Sequence, residues 1–256
     1  MKNVLLLILC LLFVGDLHAS DTLTIAAASD LTLCLEDLNA AFKITHPRID
    51  IKTVTGSSGN FLAQIKNGAP FDVFLSADMS YPKELVEEHL ADESSLTLYA
   101  TGHIVLWSMN PSVDVTKGLS ILKDGPVKKF AIANPDVAPY GRAAKAALVG
   151  AGLWSQVQSK AVFGENIAQT AQFVQTGNVD AGIVALSLVM APKMSGEGMY
   201  YRIADDQYPT LEQGAVITAY GTVNPLAKAY IDFLRSKEAR DVLDRYGFLL
   251  PSDRKP

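Results

Sequence analysis

The sequence predicts an α/β fold in two lobes, each a mostly parallel sheet flanked by helices. Strand and helix signals alternate almost throughout the chain, the pattern that builds parallel sheets. Two long apolar stretches, Leu98–Met109 and Val216–Gly221, are natural places for the chain to cross between lobes. Four strand-to-helix turns share one chemistry: Ser29-Asp30, Gly56-Ser57-Ser58-Gly59, Pro139-Tyr140-Gly141 and Glu165-Asn166-Ile167. With these crossings, residues 20–100 and 219–256 make the first lobe and 101–218 the second. Lobes joined by strands, with no low-complexity linker, suggest hinge closure over a cleft.

The chain opens with what reads as a cleaved secretory signal over residues 1–19. Lys2 precedes an apolar run, Val4–Val14, too short to span a bilayer, and Ala19 offers a cleavage point. Cys10 lies within that run after Ile8-Leu9, which disfavours lipid anchoring. Cleavage removes one Lys and one Asp, so the remaining 237 residues keep the net charge of −5. Cys34 is then the one cysteine left, expected as a small buried hydrophobe without a disulfide partner. No later stretch is long enough to cross a membrane. Dispersed Lys and Arg on an acidic chain leave no footprint for nucleic acid.

Leu23-Thr24-Ile25 begins a strand that runs through three alanines to Ser29-Asp30. Leu31, Leu35, Leu38 and Phe42 then recur at helical spacing, which makes Ser29 or Asp30 a natural N-cap. A second strand, Ile49–Val54, leads into Gly56–Gly59 and a helix through Phe61, Leu62 and Ile65 that stops at Asn67-Gly68. Phe71–Ser76 reads as a short buried strand. From Val127 the pattern restarts with strand Phe130–Ala133 and a helix opened by Pro139. Lys160–Phe163 follows as strand, Ile167–Thr176 as helix and Ala181–Val184 as strand. Helices Pro225–Leu234 and Glu238–Tyr246 close the chain.

Turns after the C-terminal ends of parallel strands line the ligand crevice of open α/β sheets. Here they supply hydroxyls and helix-start amides, nearly all donors, with no cation evident. Helix starts carry free N–H groups and about half a positive charge, so such turns can hold an anion without Lys or Arg. A donor-only site suits a fully ionised tetrahedral oxyanion, because a buried acceptor there would go unpaired. Gly56 and Gly59 let the backbone come close.

The sequence resembles the periplasmic molybdate-binding proteins of ABC uptake systems, members of the type II periplasmic binding-protein fold, over essentially the whole chain after the signal. The likeness rests on Ala26-Ala27-Ala28-Ser29, Gly56-Ser57-Ser58-Gly59, the run Gly68–Asp78, Gly182-Ile183-Val184 and Arg245-Tyr246-Gly247-Phe248. It implies a monomeric receptor that captures molybdate, and tungstate too, for a permease in the inner membrane. By position it assigns ligand contacts to the Ser29 and Ser58 hydroxyls, Tyr140 and the Ile167 amide. Asp30 would offer its amide while its carboxylate turns away from the anion. Many relatives carry a ligand tyrosine where this chain has Ala185. Others use one in the turn held here by Tyr140, and this chain resembles the second pattern. No cofactor is implied, and molybdenum would be held as its oxyanion, with no side chain coordinating the metal.

The alternatives are a receptor for sulfate or another oxyanion, a ferric-iron receptor, and a hydrolase or transferase on a related scaffold. Tyr200-Tyr201 recommends iron, but Met199–Ile203 reads as a strand, where neighbours face opposite sides. Arg142 is expected on the outer face of its helix. No Gly-x-Ser-x-Gly elbow, phosphate-cradling Gly-Lys-Ser/Thr or metal-spaced histidine pair supports an enzyme, so none is expected.

Overall fold

In the computed structural model the described residues are 22–194 and 196–251; the expected signal segment, residues 1–19, lies outside them. Strand β1 (Thr22–Ala28) runs into a 3-10 turn, Ser29–Leu31, and helix α1 (Cys34–Thr45) follows. The N-cap expectation is corrected here. The turn is closed by the Thr32 hydroxyl and amide donating to the Ser29 carbonyl, and α1 starts later, at Cys34. Strand β2 (Asp50–Gly56), helix α2 (Ser58–Lys66), strand β3 (Val73–Ser76), helix α3 (Ser80–Glu87) and strand β4 (Thr97–Gly102) complete this part.

The second part holds β5 (Ile104–Ser108), β6 (Phe130–Ala133), α4 (Pro139–Gly150), α5 (Trp154–Val157), β7 (Ala161–Gly164), α6 (Ile167–Gln175), β8 (Ala181–Ala185), α7 (Leu186–Val189) and β9 (Met199–Arg202). The chain then returns with β10 (Leu211–Ile217) and ends in α8 (Pro225–Leu234) and α9 (Lys237–Arg245).

Among the described residues ten strands form two five-stranded sheets, ordered β2-β1-β3-β10-β4 and β7-β6-β8-β5-β9. Each is mixed. Strands β1, β2 and β3 are mutually parallel, with β10 antiparallel to both β3 and β4. The second sheet repeats the plan, with β6, β7 and β8 parallel and β5 antiparallel to β8 and β9. The apolar stretch 98–109 is thus two strands in different sheets, with His103 alone between them.

The return crossing departs from expectation. Residues 211–217, expected in the second lobe, pair inside the first sheet, and the crossing lies in 203–210. Glu212-Gln213 hid the start of β10, because polar residues break the apolar run. The structure buries Gln213 fully and bonds it to Tyr99 and Tyr140. Gly221, expected in the strand, falls in a 3-10 turn, Tyr220–Val223, packed so tightly on Asp72 that an added Cβ would sit 2.1 Å from its carbonyl oxygen.

The helical stripe of α1 is buried as its spacing implies: Leu35, Leu38 and Phe42 face Tyr230 of α8 and Leu243 of α9 in one apolar cluster. Cys34 is a free, buried thiol in that cluster, and burial raises its pKa. A second cluster packs Trp107, Phe130, Ile132 and Ile183 against Leu148 of α4 and Val174 of α6. Each such side chain contributes on the order of 1.5–3 kcal/mol by leaving water. Among the described residues no helix is long and apolar enough to cross a membrane.

Candidate oxyanion site

All four turns converge on one small cavity. Its wall includes Ala28, Ser29 and Asp30 after β1, Gly56, Ser57 and Ser58 between β2 and α2, Ala77 after β3, Ala138–Tyr140 at the start of α4, and Ile167 at the start of α6. Ser29, Asp30, Ser58, Tyr140 and Ile167 therefore share one wall, and no Lys or Arg belongs to it.

The two serines are oriented donors. Ser29 Oγ accepts the Ala168 N–H at 3.4 Å, and Ser58 Oγ accepts the Ala77 N–H at 3.0 Å. Each oxygen is thereby held by a backbone amide while its own hydrogen stays free to donate. Both residues are buried. The α6 start is prepared by Asn166, whose side chain caps the Gln169 N–H at 3.0 Å. With Ala168 N–H given to Ser29 Oγ and Gln169 N–H to Asn166, the Ile167 N–H is the amide of this first turn left to donate. Pro139 at the first position of α4 fixes the entry of that helix next to Tyr140.

Tyr140 is buried in the wall, but its hydroxyl has another partner than an anion. It donates to Asp30 Oδ2 at 2.9 Å and accepts from Gln213 Nε2 at 3.4 Å. Gln213 Oε1 in turn accepts from the Tyr99 hydroxyl at 3.3 Å. This chain of bonds fits because position 102 is glycine, since a Cβ there would lie 2.1 Å from the Tyr140 hydroxyl oxygen. The Asp30 carboxyl is turned toward Tyr140 through Oδ2, while Oδ1 has no hydrogen-bond partner. Burial raises the Asp30 pKa to about 7, against the lowering effect of the Tyr140 hydrogen bond. The Tyr140 pKa is also raised, by burial and then by Asp30.

Sequence reasoning passed over three further residues. Ser57 sits at the N-cap of α2 with its Oγ buried and unpartnered. With Asp30 Oδ1 it makes up the buried side-chain polar atoms that lack a partner among the described residues, and both residues line this cavity. Ser187 of α7, two residues after Ala185, donates to the Asp30 carbonyl at 2.7 Å. Arg142, expected on the outer face of its helix, is partly exposed but also has partners outside that helix. It reaches from α4 to Asp78 Oδ2 at 2.5 Å and to the Tyr81 hydroxyl at 2.7 Å, with its guanidinium 5.3 Å from the Tyr81 ring centre. The Gly59 N–H adds a bond to the Val137 carbonyl at 3.0 Å, so the two sheets' turns are clasped over the cavity. Only the arginine contact was open to inference, from a cation one turn into a site helix.

Tyr200 and Tyr201 stand elsewhere. They pair with Trp107 and Leu106 on β9, partly exposed and away from the cavity wall. No group of three or more His, Cys, Asp or Glu suited to a metal ion occurs among the described residues.

Two mixed sheets flanked by helices, joined by short crossings with a donor-lined cavity at the seam, define a type II periplasmic binding-protein fold. The chain belongs to the family of bacterial extracellular solute-binding proteins, whose family model matches residues 23–249. It is 40% identical over 225 residues to the molybdate-binding protein ModA of Azotobacter vinelandii, covering 88% of each chain. It is 38% identical over 229 residues to ModA of Rhodobacter capsulatus, covering 88% of this chain and 86% of that one. The solved structure of an Azotobacter vinelandii periplasmic molybdate-binding protein superposes with a TM-score of 0.85 at 30% identity, covering 90% of this chain and 99% of that one.

Proposed function

We propose that this protein is a periplasmic receptor that captures molybdate, and tungstate with it, and delivers the anion to an ABC permease. The observation that carries this reading is the pair of serines whose oxygens are held by backbone amides, leaving both hydroxyl hydrogens for a ligand. With the Ile167 amide at the start of α6 and the Asp30 amide they offer a tetrahedral dianion several donors, and no Lys or Arg lines the cavity. A dianion held this way is offset by helix-start dipoles. The similarity to proteins named for molybdate binding selects that anion among tetrahedral candidates. Discrimination against sulfate would rest on cavity size, since charge and shape are the same.

In this reading Ser29, Ser58 and the Ile167 amide contact the anion, and the Asp30 amide joins them. Tyr140 shapes the wall and reaches the anion only by releasing its bond to Asp30. The protein works as a monomer, exported by its leader, and carries out no catalysis itself. Family membership supports transport, and the serine oxygens are held by backbone amides, with no side-chain base hydrogen-bonded to either among the described residues.

Thermal unfolding with and without molybdate, tungstate, sulfate, phosphate and ferric citrate tests the reading. A ligand at a thousand times its dissociation constant stabilises by about 4 kcal/mol, a shift of several degrees in a chain this size. Stabilisation by molybdate and tungstate but not sulfate is expected. Stabilisation by sulfate or iron alone keeps the fold and rejects the ligand.

A further inference from the structure

Asp30 is an anomaly in a site for dianions. Its carboxyl is buried at the cavity wall, 1% exposed, with Oδ1 unpartnered. The titratable groups facing it are Tyr140 of α4, Tyr99 of β4 and Cys34 of α1, and α6 (IAQTAQFVQ) and α7 (LSLV) carry no titratable side chain. No cation acts on it. The polarity of its hydrogen bond with Tyr140 is fixed from behind. Tyr99 donates to Gln213 Oε1, which turns Gln213 Nε2 to the Tyr140 oxygen, so the Tyr140 hydrogen goes to Asp30 Oδ2. Oδ2 is therefore an acceptor, and Oδ1 is the oxygen left to carry a proton.

We propose that Asp30 is a proton-coupled member of the anion site: it is protonated on Oδ1 when the oxyanion is held, so capture of a dianion takes up one proton. This rests on the oxyanion reading above. An ionised carboxylate in the same cavity would repel the anion, and no Lys or Arg lines the wall to offset it. A neutral acid leaves only the dianion to be balanced by the donors, and its O–H becomes one more of them. In the empty site burial already holds the Asp30 pKa near 7, so a neighbouring dianion moves it higher. The sign follows. The bound form has the higher pKa, so affinity is constant where Asp30 is already protonated in the free protein. It falls by up to about tenfold per pH unit once free Asp30 ionises.

Titration calorimetry of molybdate binding from about pH 5.5 to about pH 9, in buffers of contrasting ionisation enthalpy, reads both quantities. Molybdate itself stays a dianion over this range. Wild type is expected to bind with little proton uptake at the acid end. Toward the alkaline end uptake approaches one proton and affinity falls. In Asp30→Asn the uptake and the pH dependence vanish together. Tyr140→Phe, which removes the bond favouring the charged form, moves the onset of the fall to higher pH. Wild-type binding that is flat across the range, or uptake that persists in Asp30→Asn, overturns the inference and leaves the molybdate reading standing. Wild type that fails to bind molybdate at every pH rejects both.

Discussion

Ser29 and Ser58 accept backbone amides through their hydroxyl oxygens, and in the proposed reading those bonds aim the hydroxyl hydrogens at the anion. Ser29→Ala and Ser58→Ala should each weaken molybdate binding by about 1–3 kcal/mol, the cost of a lost donor to a charged group, as read by titration calorimetry. Wild-type affinity in both variants would contradict the site assignment. Asp30 also marks stability. Its folded pKa of about 7 lies above the ordinary aspartate value of 3.8, so its favourable contribution is complete below pH 3.8 and is lost as pH rises toward 7. Relative to wild type, Asp30→Asn should therefore gain on the order of 4 kcal/mol in unfolding free energy between those limits, measured by urea titration without ligand. An unchanged difference would show that Asp30 stays ionised when buried. The serines were legible in the sequence because small and hydroxyl residues stood between a strand and a helix. The partners of Asp30 were not, because Tyr140 and Gln213 lie 110 and 183 positions along the chain from it.

At the scale of elements, boundaries came through wherever local chemistry is strong. Helix α8 starts after Asn224 and at Pro225, and α6 after Asn166, as cap and proline signals imply. The failures share a cause. β10 begins with buried polar residues, and the first turn is 3-10 and does not open α1 directly, and both are decided by tertiary partners. Arg142 shows the same limit, since its partners Asp78 and Tyr81 come from α3 and the turn before it. These contacts join the two sheets' turns across the cavity. Arg142→Ala should weaken binding by up to about 1 kcal/mol, because the ion pair is partly exposed, and the loss should shrink at high salt. Equal loss at low and high salt would assign the residue's effect to packing on Tyr81 instead.

At the scale of the molecule, two sheets of the same plan meet where the chain crosses at His103 and again in 203–210. The crossings are themselves bound together. His103 Nδ1 lies 2.8 Å from Asp205 Oδ1, which also accepts from the Tyr208 hydroxyl at 2.8 Å. Burial lowers the His103 pKa, against the raising effect of Asp205. Short, bonded crossings beneath a cavity bounded by all four turns are what a two-lobed receptor requires. In the proposed reading the anion sits between Ser29 and Ser58 of the first part and Ile167 of the second, which line one cavity. The most direct measurement is anomalous scattering at the molybdenum absorption edge from crystals of the molybdate complex. One peak is expected, inside the cavity and within hydrogen-bond reach of the Ser29 and Ser58 hydroxyls and the Ile167 amide. A fully soaked or co-crystallised protein with no peak there, or with its peak at another surface, would contradict the assignment of both ligand and site.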